Sequence, residues 1–312
     1  MKAFPYHHAV VADLAWVIKS PSMLNAPLAV FQAAHDGDER LAEWLSVLDS
    51  DPLSLKDYLE KNTSSRFLGP YFENLWCFYL EWHPRFELVE RNLQVFDQGE
   101  TIGEFDVLVF DKKRGCHFHQ ELAVKFYLGQ KTNTEKDAGT SQWFGPNRSD
   151  RLEKKYTNIM KRQIRLSEHP AAERLLRDKG ITSVSHQLVF KGYLFQPYRR
   201  PLTLPAYVNE QCEQGVWMEV SAFLDLLENR HFSGGEQRWL VLQKSQWFSR
   251  KAFSEKHGGL WLVLETEELP DYLSERRESL PLTVVELYLE SGVYIENRRF
   301  MLTPSGWENR QV

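Results

Sequence analysis

Gly103-Glu104-Phe105-Asp106-Val107-Leu108-Val109-Phe110, followed by His119-Gln120-Glu121-Leu122-Ala123-Val124-Lys125-Phe126, is the stretch on which the fold turns. Both halves are rich in aromatic and β-branched residues, and Asp111-Lys112-Lys113-Arg114-Gly115 between them is a turn signal. The pattern predicts two antiparallel strands, over 102–110 and 116–128. Side chains alternate along a strand, so Glu104 and Asp106 share a face, as do His119, Glu121, Ala123 and Lys125. Folding the chain about Lys113 sets Asp106 opposite either Gln120 or Glu121, depending on the loop type. Only the second register brings both carboxylates to one face, with Cβ atoms ~5 Å apart.

Two bare carboxylates that close repel each other and raise a pKa. A bound Mg²⁺ or Mn²⁺ relieves the conflict, because hard cations prefer carboxylate oxygens. Such an ion also acidifies a bound water and offsets charge on a phosphodiester. Asp106 and Glu121 are therefore the candidate catalytic and metal-binding carboxylates. Lys125 is the candidate amine to orient a nucleophile or stabilise a developing anion. The bland alternative is a solvated sheet face. Against it, Phe105, Val107, Leu108, Val109 and Phe110 are apolar on both faces, which describes a strand covered on both sides, where carboxylates need partners.

Outwards from the hairpin, residues 9–82 read as helical, ending in a strongly apolar helix over 66–81 closed by His83-Pro84. Residues 86–96 change to a mixed alternation suited to an edge strand, so 86–128 reads as a three-stranded meander. Residues 129–147 read as a long loop and Ser149–Leu166 as an amphipathic helix. A short helix over 170–179 and a strand over 184–195 follow. Beyond Pro197 and Pro201 come short strand-like pieces around 216–218, 239–242 and 260–264, with a helix at 221–227.

The helix after the loop carries Arg148, Arg151, Lys154, Lys155, Lys161, Arg162 and Arg165 against Asp150 and Glu153, a net +5 in a chain of net −5. Clustered cations on one element are the footprint of phosphate contacts, and a solvated helix face is the alternative. Gln163, eleven residues after Leu152, falls on the apolar side and needs a partner there. His119 shares the face of Glu121, which places it beside the metal ligands or, as a buried histidine more often is, in the core. Three cysteines, Cys77, Cys116 and Cys212, stand far apart, which disfavours a zinc site or a disulfide framework and suits a reducing cytoplasm. No apolar run approaches the ~20 residues that span a bilayer.

The order of these pieces resembles the PD-(D/E)XK nuclease superfamily: a helix carrying Glu73, the Gly103–Asp106 strand, a Glu…Lys strand, then a helix. More closely, Leu68–Trp76, Gly103–Asp106, Glu121–Gly129, Gly145–Leu152 with Gln163, and the distal Arg238-Trp239 and Lys244 resemble the domain of unknown function 1853 family. The superfamily resemblance implies a mixed four-stranded sheet flanked by helices and Mg²⁺-dependent cleavage of nucleic acid. Carried over, Glu73, Asp106 and Glu121 match the metal-binding acids, and Lys125 the lysine. Glu104, His119 and Gln163 are expected beside them. One departure is plain: three residues separate Glu121 from Lys125 where the superfamily has one. Ala123 holds the usual lysine position, and Lys125 lies ~6.6 Å further along the strand.

The resulting expectation is an α/β (α+β) protein with a restriction-endonuclease-like core over 66–197. An N-terminal helical extension (1–65) precedes it, and a C-terminal α+β region (198–312) packs on it. Its expected role is a Mg²⁺- or Mn²⁺-dependent nuclease acting on DNA or RNA, with DNA favoured over RNA and no membrane association. The alternative is a nuclease-like binding protein that has lost the chemistry.

Overall fold

The hairpin expected over 102–128 is the hub from which a single large sheet is built. The structure, a computed structural model, describes residues 6–25, 29–30, 39–62, 67–131, 141–229, 237–254, 261–276, 279 and 281–309. In chain order the elements are α1 (Ala9–Lys19), β1 (Ala29–Val30), α2 (Glu39–Ser50), α3 (Leu53–Asn62), α4 (Leu68–Trp82), β2 (Phe86–Asp97), β3 (Glu100–Asp111), β4 (Cys116–Lys131) and β5 (Ser141–Phe144). There follow α5 (Leu152–Lys161), α6 (Pro170–Asp178), β6 (Val184–Pro197), β7 (Glu213–Glu219), α7 (Val220–Glu228), β8 (Arg238–Leu242), β9 (Ala252–Ser254), β10 (Val263–Glu265), α8 (Leu269–Ser274), β11 (Leu282–Glu290) and β12 (Val293–Thr303).

Among the described residues the strands run in the order β10-β8-β11-β12-β7-β6-β4-β3-β2, with β1 beside β6, β5 beside β4 and β9 beside β12. β2, β3 and β4 form the expected antiparallel meander. β4 then pairs in parallel with β6, and β6 in parallel with β7. The fold is thus mixed α/β, a large mixed sheet flanked by helices.

Alternation along β4 sorts the two covering layers. Phe118, Leu122, Phe126 and Leu128 join the core shared with α1 to α4. Ala123 and Tyr127 join the core of α5, with Leu152 and Ile159. Phe105 and Leu108 of β3 pack against α6 through Ala172 and Leu176. A buried polar relay, Trp76 Nε1 to Gln120 Oε1 (2.8 Å) and Gln120 Nε2 to Gln187 Oε1 (2.7 Å), fixes α4 against β4 and β6.

Three local expectations are corrected. The helix expected over Ser149–Leu166 is shorter: α5 ends at Lys161, and a 3₁₀ turn runs from Gln163 to Glu168. Ile164 and Leu166 are both buried, and a spacing of two cannot place both on one face of an α-helix. Leu166 also fits against Gly103, where a Cβ would come within 2.7 Å of it. The expected loop over 129–147 contains strand residues at both ends: β4 runs on to Lys131 and pairs with β5. Residues 132–140 lie outside the described residues. The third concerns β11 and β12, a hairpin that the sequence reading leaves out. Both residues of its turn, Ser291 and Gly292, take positive φ.

Candidate active site

The site forms where β3 and β4 part. Their ladder pairs Leu108 with His119 and Val107 with Gln120. One more step would set Asp106 against Glu121, the second of the two registers open to the sequence. The main-chain ladder stops there. Asp106 Oδ2 instead accepts the Leu122 N–H at 2.8 Å, so a side chain takes the place of a strand carbonyl. Beyond it neither β3 nor β5 flanks β4 until Leu128 meets Phe144. The result is a slot in the sheet with two carboxylates at its closed end.

Both carboxyls are hard to ionise. Glu121 is 1% exposed; burial and then the Asp106 charge push it up to about 8, while the Lys155 ammonium pulls it down. Burial pushes Asp106 up to about 6, opposed by the Leu122 N–H and by Lys155. The two carboxyls act on each other: the Asp106 charge raises Glu121, and hydrogen bonding with Glu121 lowers Asp106. Glu121 Oε2 is buried with no donor, as expected of a carboxylate oxygen that lacks a proton or cation beside it.

Glu121 Oε1 is held from the α5 side. Gln163 Nε2 donates to it, and Lys155 Nζ stands 3.4 Å away. The Gln163 carbonyl is itself fixed by Lys155 Nζ and Asn158 Nδ2, each at 3.0 Å. The break between α5 and the 3₁₀ turn is what lets Gln163 reach β4.

Glu73, half-buried on α4, approaches from the opposite layer. Burial raises its pKa first, then the charge of Asp106, with Arg91 opposing and Glu104 adding. Glu73, Glu104, Asp106 and Glu121 thus share one electrostatic neighbourhood. Among the described residues no three His, Cys, Asp or Glu side chains converge as a metal-binding group. A Mg²⁺ site does not require that: such an ion takes one or two carboxylates and fills its shell with water and substrate oxygens. The Asp106–Glu121 pair, with raised pKa values and an orphan oxygen, fits that donor set.

Other sequence-predicted residues fall elsewhere. Lys125 does not reach back to Glu121; its Nζ pairs with Asp150 Oδ2 at 2.8 Å, which also accepts the Tyr127 hydroxyl at 3.2 Å. His119 is fully buried, edge-on to Phe105 at 4.8 Å, and burial pushes it down to about 3, so it is a neutral core residue. Arg148 is 8% exposed, its guanidinium lying over both Phe144 and Trp307 and bonded to Gln130. Arg151 lies over Phe144. Lys154, Lys161 and Arg162 are exposed.

By sequence Lys155 is one of the candidate phosphate contacts, yet the structure sets it beside Glu121, with Asn158, which no sequence signal singles out, as a support. Helical spacing carried the signal: Leu152, Lys155 and Ile159 stand at i, i+3 and i+7, on the face that turns to the sheet. Neither a curated protein nor a solved structure matches this chain. The model of the domain of unknown function 1853 family matches residues 12–303, and the chain belongs to that family.

Proposed function

We propose that the protein is a metal-dependent phosphodiesterase of the PD-(D/E)XK type, with a restriction-endonuclease-like core, acting on nucleic acid. The observation that carries this reading is the Asp106–Glu121 pair: a buried and a half-buried carboxyl at a strand fork, with raised pKa values and one oxygen without a donor. In this reading Asp106 and Glu121 hold a Mg²⁺ or Mn²⁺ ion, with Glu73 next to Asp106 to share its water shell. When bound, the ion acidifies a water and offsets charge on the phosphate. Gln163 fixes the Glu121 carboxylate in place. The Lys155 ammonium lies where it can orient the nucleophile or stabilise the developing anion, the task that the sequence reading gave Lys125. The exposed Lys154, Lys161 and Arg162 lie on the same segment and suit backbone phosphates.

The test is cleavage of plasmid and single-stranded substrates with Mg²⁺ and Mn²⁺ by the wild-type protein and by Asp106→Ala and Glu121→Ala. The reading expects loss of cleavage in both variants, and cleavage that survives both substitutions sinks it. One observation favours a second reading, a binding protein without chemistry: Lys125 is engaged by Asp150 rather than by the carboxylate pair. That reading expects salt-sensitive nucleic-acid binding and no cleavage by the wild-type protein.

A further inference from the structure

A groove of about 640 Å³ opens beside the free edge of β4, and Phe67, Lys125, Asn147, Asp150, Gln243 and Lys244 are among its lining residues. It brings together β4, the segment between β5 and α5, and the turn that follows β8. Glu121 and Lys125 lie four residues apart on β4, about 13 Å along the strand. Among the described residues, the edge between them has no neighbouring strand. The carboxylate pair and the groove therefore lie along one open edge.

The lining has the chemistry of a nucleotide subsite. Lys125 is neutralised by Asp150, whereas Lys244 is exposed and makes no ion pair among the described residues. Two cations against one carboxylate leave a positive balance that complements a phosphate. Asn147 and Gln243 are exposed; Asn147 Oδ1 accepts from Ser149 N and Oγ and the Gln243 side chain caps the turn at Gln246, so each amide is held in place with its NH₂ donors to meet base or sugar acceptors. Phe67, 76% exposed, is an aromatic side chain among the lining residues, and base–aromatic stacking tolerates any base. The volume falls in the range of small-molecule pockets; it admits one nucleotide and not a turn of duplex.

We propose that this groove holds a nucleotide of a single nucleic-acid strand whose phosphodiester, a few nucleotides away, lies at Asp106 and Glu121. The substrate class is then single-stranded nucleic acid or an unpaired end. The proposal rests on the phosphodiesterase reading for what happens at Asp106 and Glu121, but the binding itself does not need the chemistry.

The test is fluorescence anisotropy in EDTA, with a short labelled single-stranded oligonucleotide and a hairpin duplex of the same length. The wild-type protein, Phe67→Ala and Lys244→Glu are compared, with circular dichroism melts as the folding control. The single strand is expected to bind tighter than the duplex. Phe67→Ala should weaken it by about fivefold or more, the loss of one stacked base. Lys244→Glu should weaken it and reduce the salt slope by about 1. Duplex binding as tight as single-strand binding overturns the proposal, as do two variants that bind like wild type. So does a failure to bind any oligonucleotide, the result expected if an extended peptide is what occupies the β4 edge. Variants that lose binding in a protein that cuts nothing with Mg²⁺ would leave the groove standing and remove the phosphodiesterase. Cleavage with unaffected variants would do the reverse.

Discussion

Glu121 is the residue whose environment asks most for an explanation. It is 1% exposed, faces a second carboxyl, and has one oxygen with no donor. Without a cation the cheapest remedy is a retained proton, which is why it is pushed up to about 8 from an ordinary 4.5. The linkage has a definite sign. Between those values the unfolded chain has lost the proton and the folded chain keeps it. The stability that this group contributes is thus full below about pH 4.5 and lost as pH rises through about 8. Glu121→Gln removes that dependence. In metal-free thermal melts the variant should gain on the wild-type protein steadily from pH 5 to pH 8. Buried His119, Lys191 and Lys251 also have shifted pKa values, but they titrate in both proteins and cancel in the difference. A difference that is flat with pH, or that shrinks, would show that Glu121 is ionised in the folded protein.

At the scale of elements, the carboxylate pair was legible because strand alternation and hairpin register are simple arithmetic. Asp106 and Glu121 sum to the same number as the observed partners Val107 and Gln120. The lysine was not legible, because its position depends on a helix packing against the sheet. Lys125 shares a face with Glu121, but by that point on β4 its ammonium pairs with the Asp150 carboxylate, from the segment between β5 and α5. Lys155 comes from the opposing element, and only the inward turn of Leu152 and Ile159 fixes its side. Gln163 reaches Glu121 from a 3₁₀ turn and not from the helix that its spacing suggests: the turn answers to Leu166 over Gly103, a contact between residues 63 apart in sequence.

The β4–β6 pair that backs the site rests on a glycine. Gly192 has φ 141, and a Cβ there would lie 1.7 Å from the Lys125 carbonyl oxygen. Gly192→Ala should destabilise the protein by at least ~3 kcal/mol in urea unfolding, since an L side chain meets backbone that cannot yield. A loss below ~1 kcal/mol would mean that the two strands have room to part.

At the scale of the whole molecule, the sequence placed a boundary near 197–205, where prolines cluster and composition shifts. The sheet passes through it. β6 pairs with β7 from Tyr193 to Pro197, and the Tyr193 hydroxyl donates to the Phe248 carbonyl at 2.8 Å. The N-terminus is bound in as well. Asp13 of α1 accepts from Ser249 N and Oγ, at 3.1 and 2.7 Å, and from the Tyr71 hydroxyl at 3.2 Å. Composition reports the chemistry of surfaces and turns. It does not report which strands pair across 198–212, because pairing partners are set by tertiary packing. A fragment of residues 66–197 would expose the β6 edge and the apolar surface that α1 and Trp247 cover. Expressed alone, it should be insoluble or lack a cooperative thermal transition. A soluble fragment with a sharp melt would show that the C-terminal strands are an addition to a self-sufficient core.

The central claim is that Asp106 and Glu121 stand together in order to hold a divalent cation. Isothermal titration of Mn²⁺ into the metal-free protein at pH 7.5 tests it most directly. The expected result is saturable binding of one ion per chain, with protons released as the carboxyls ionise, and loss of that binding in Asp106→Ala and in Glu121→Ala. Absence of binding by the wild-type protein, or binding that both variants retain, would contradict it.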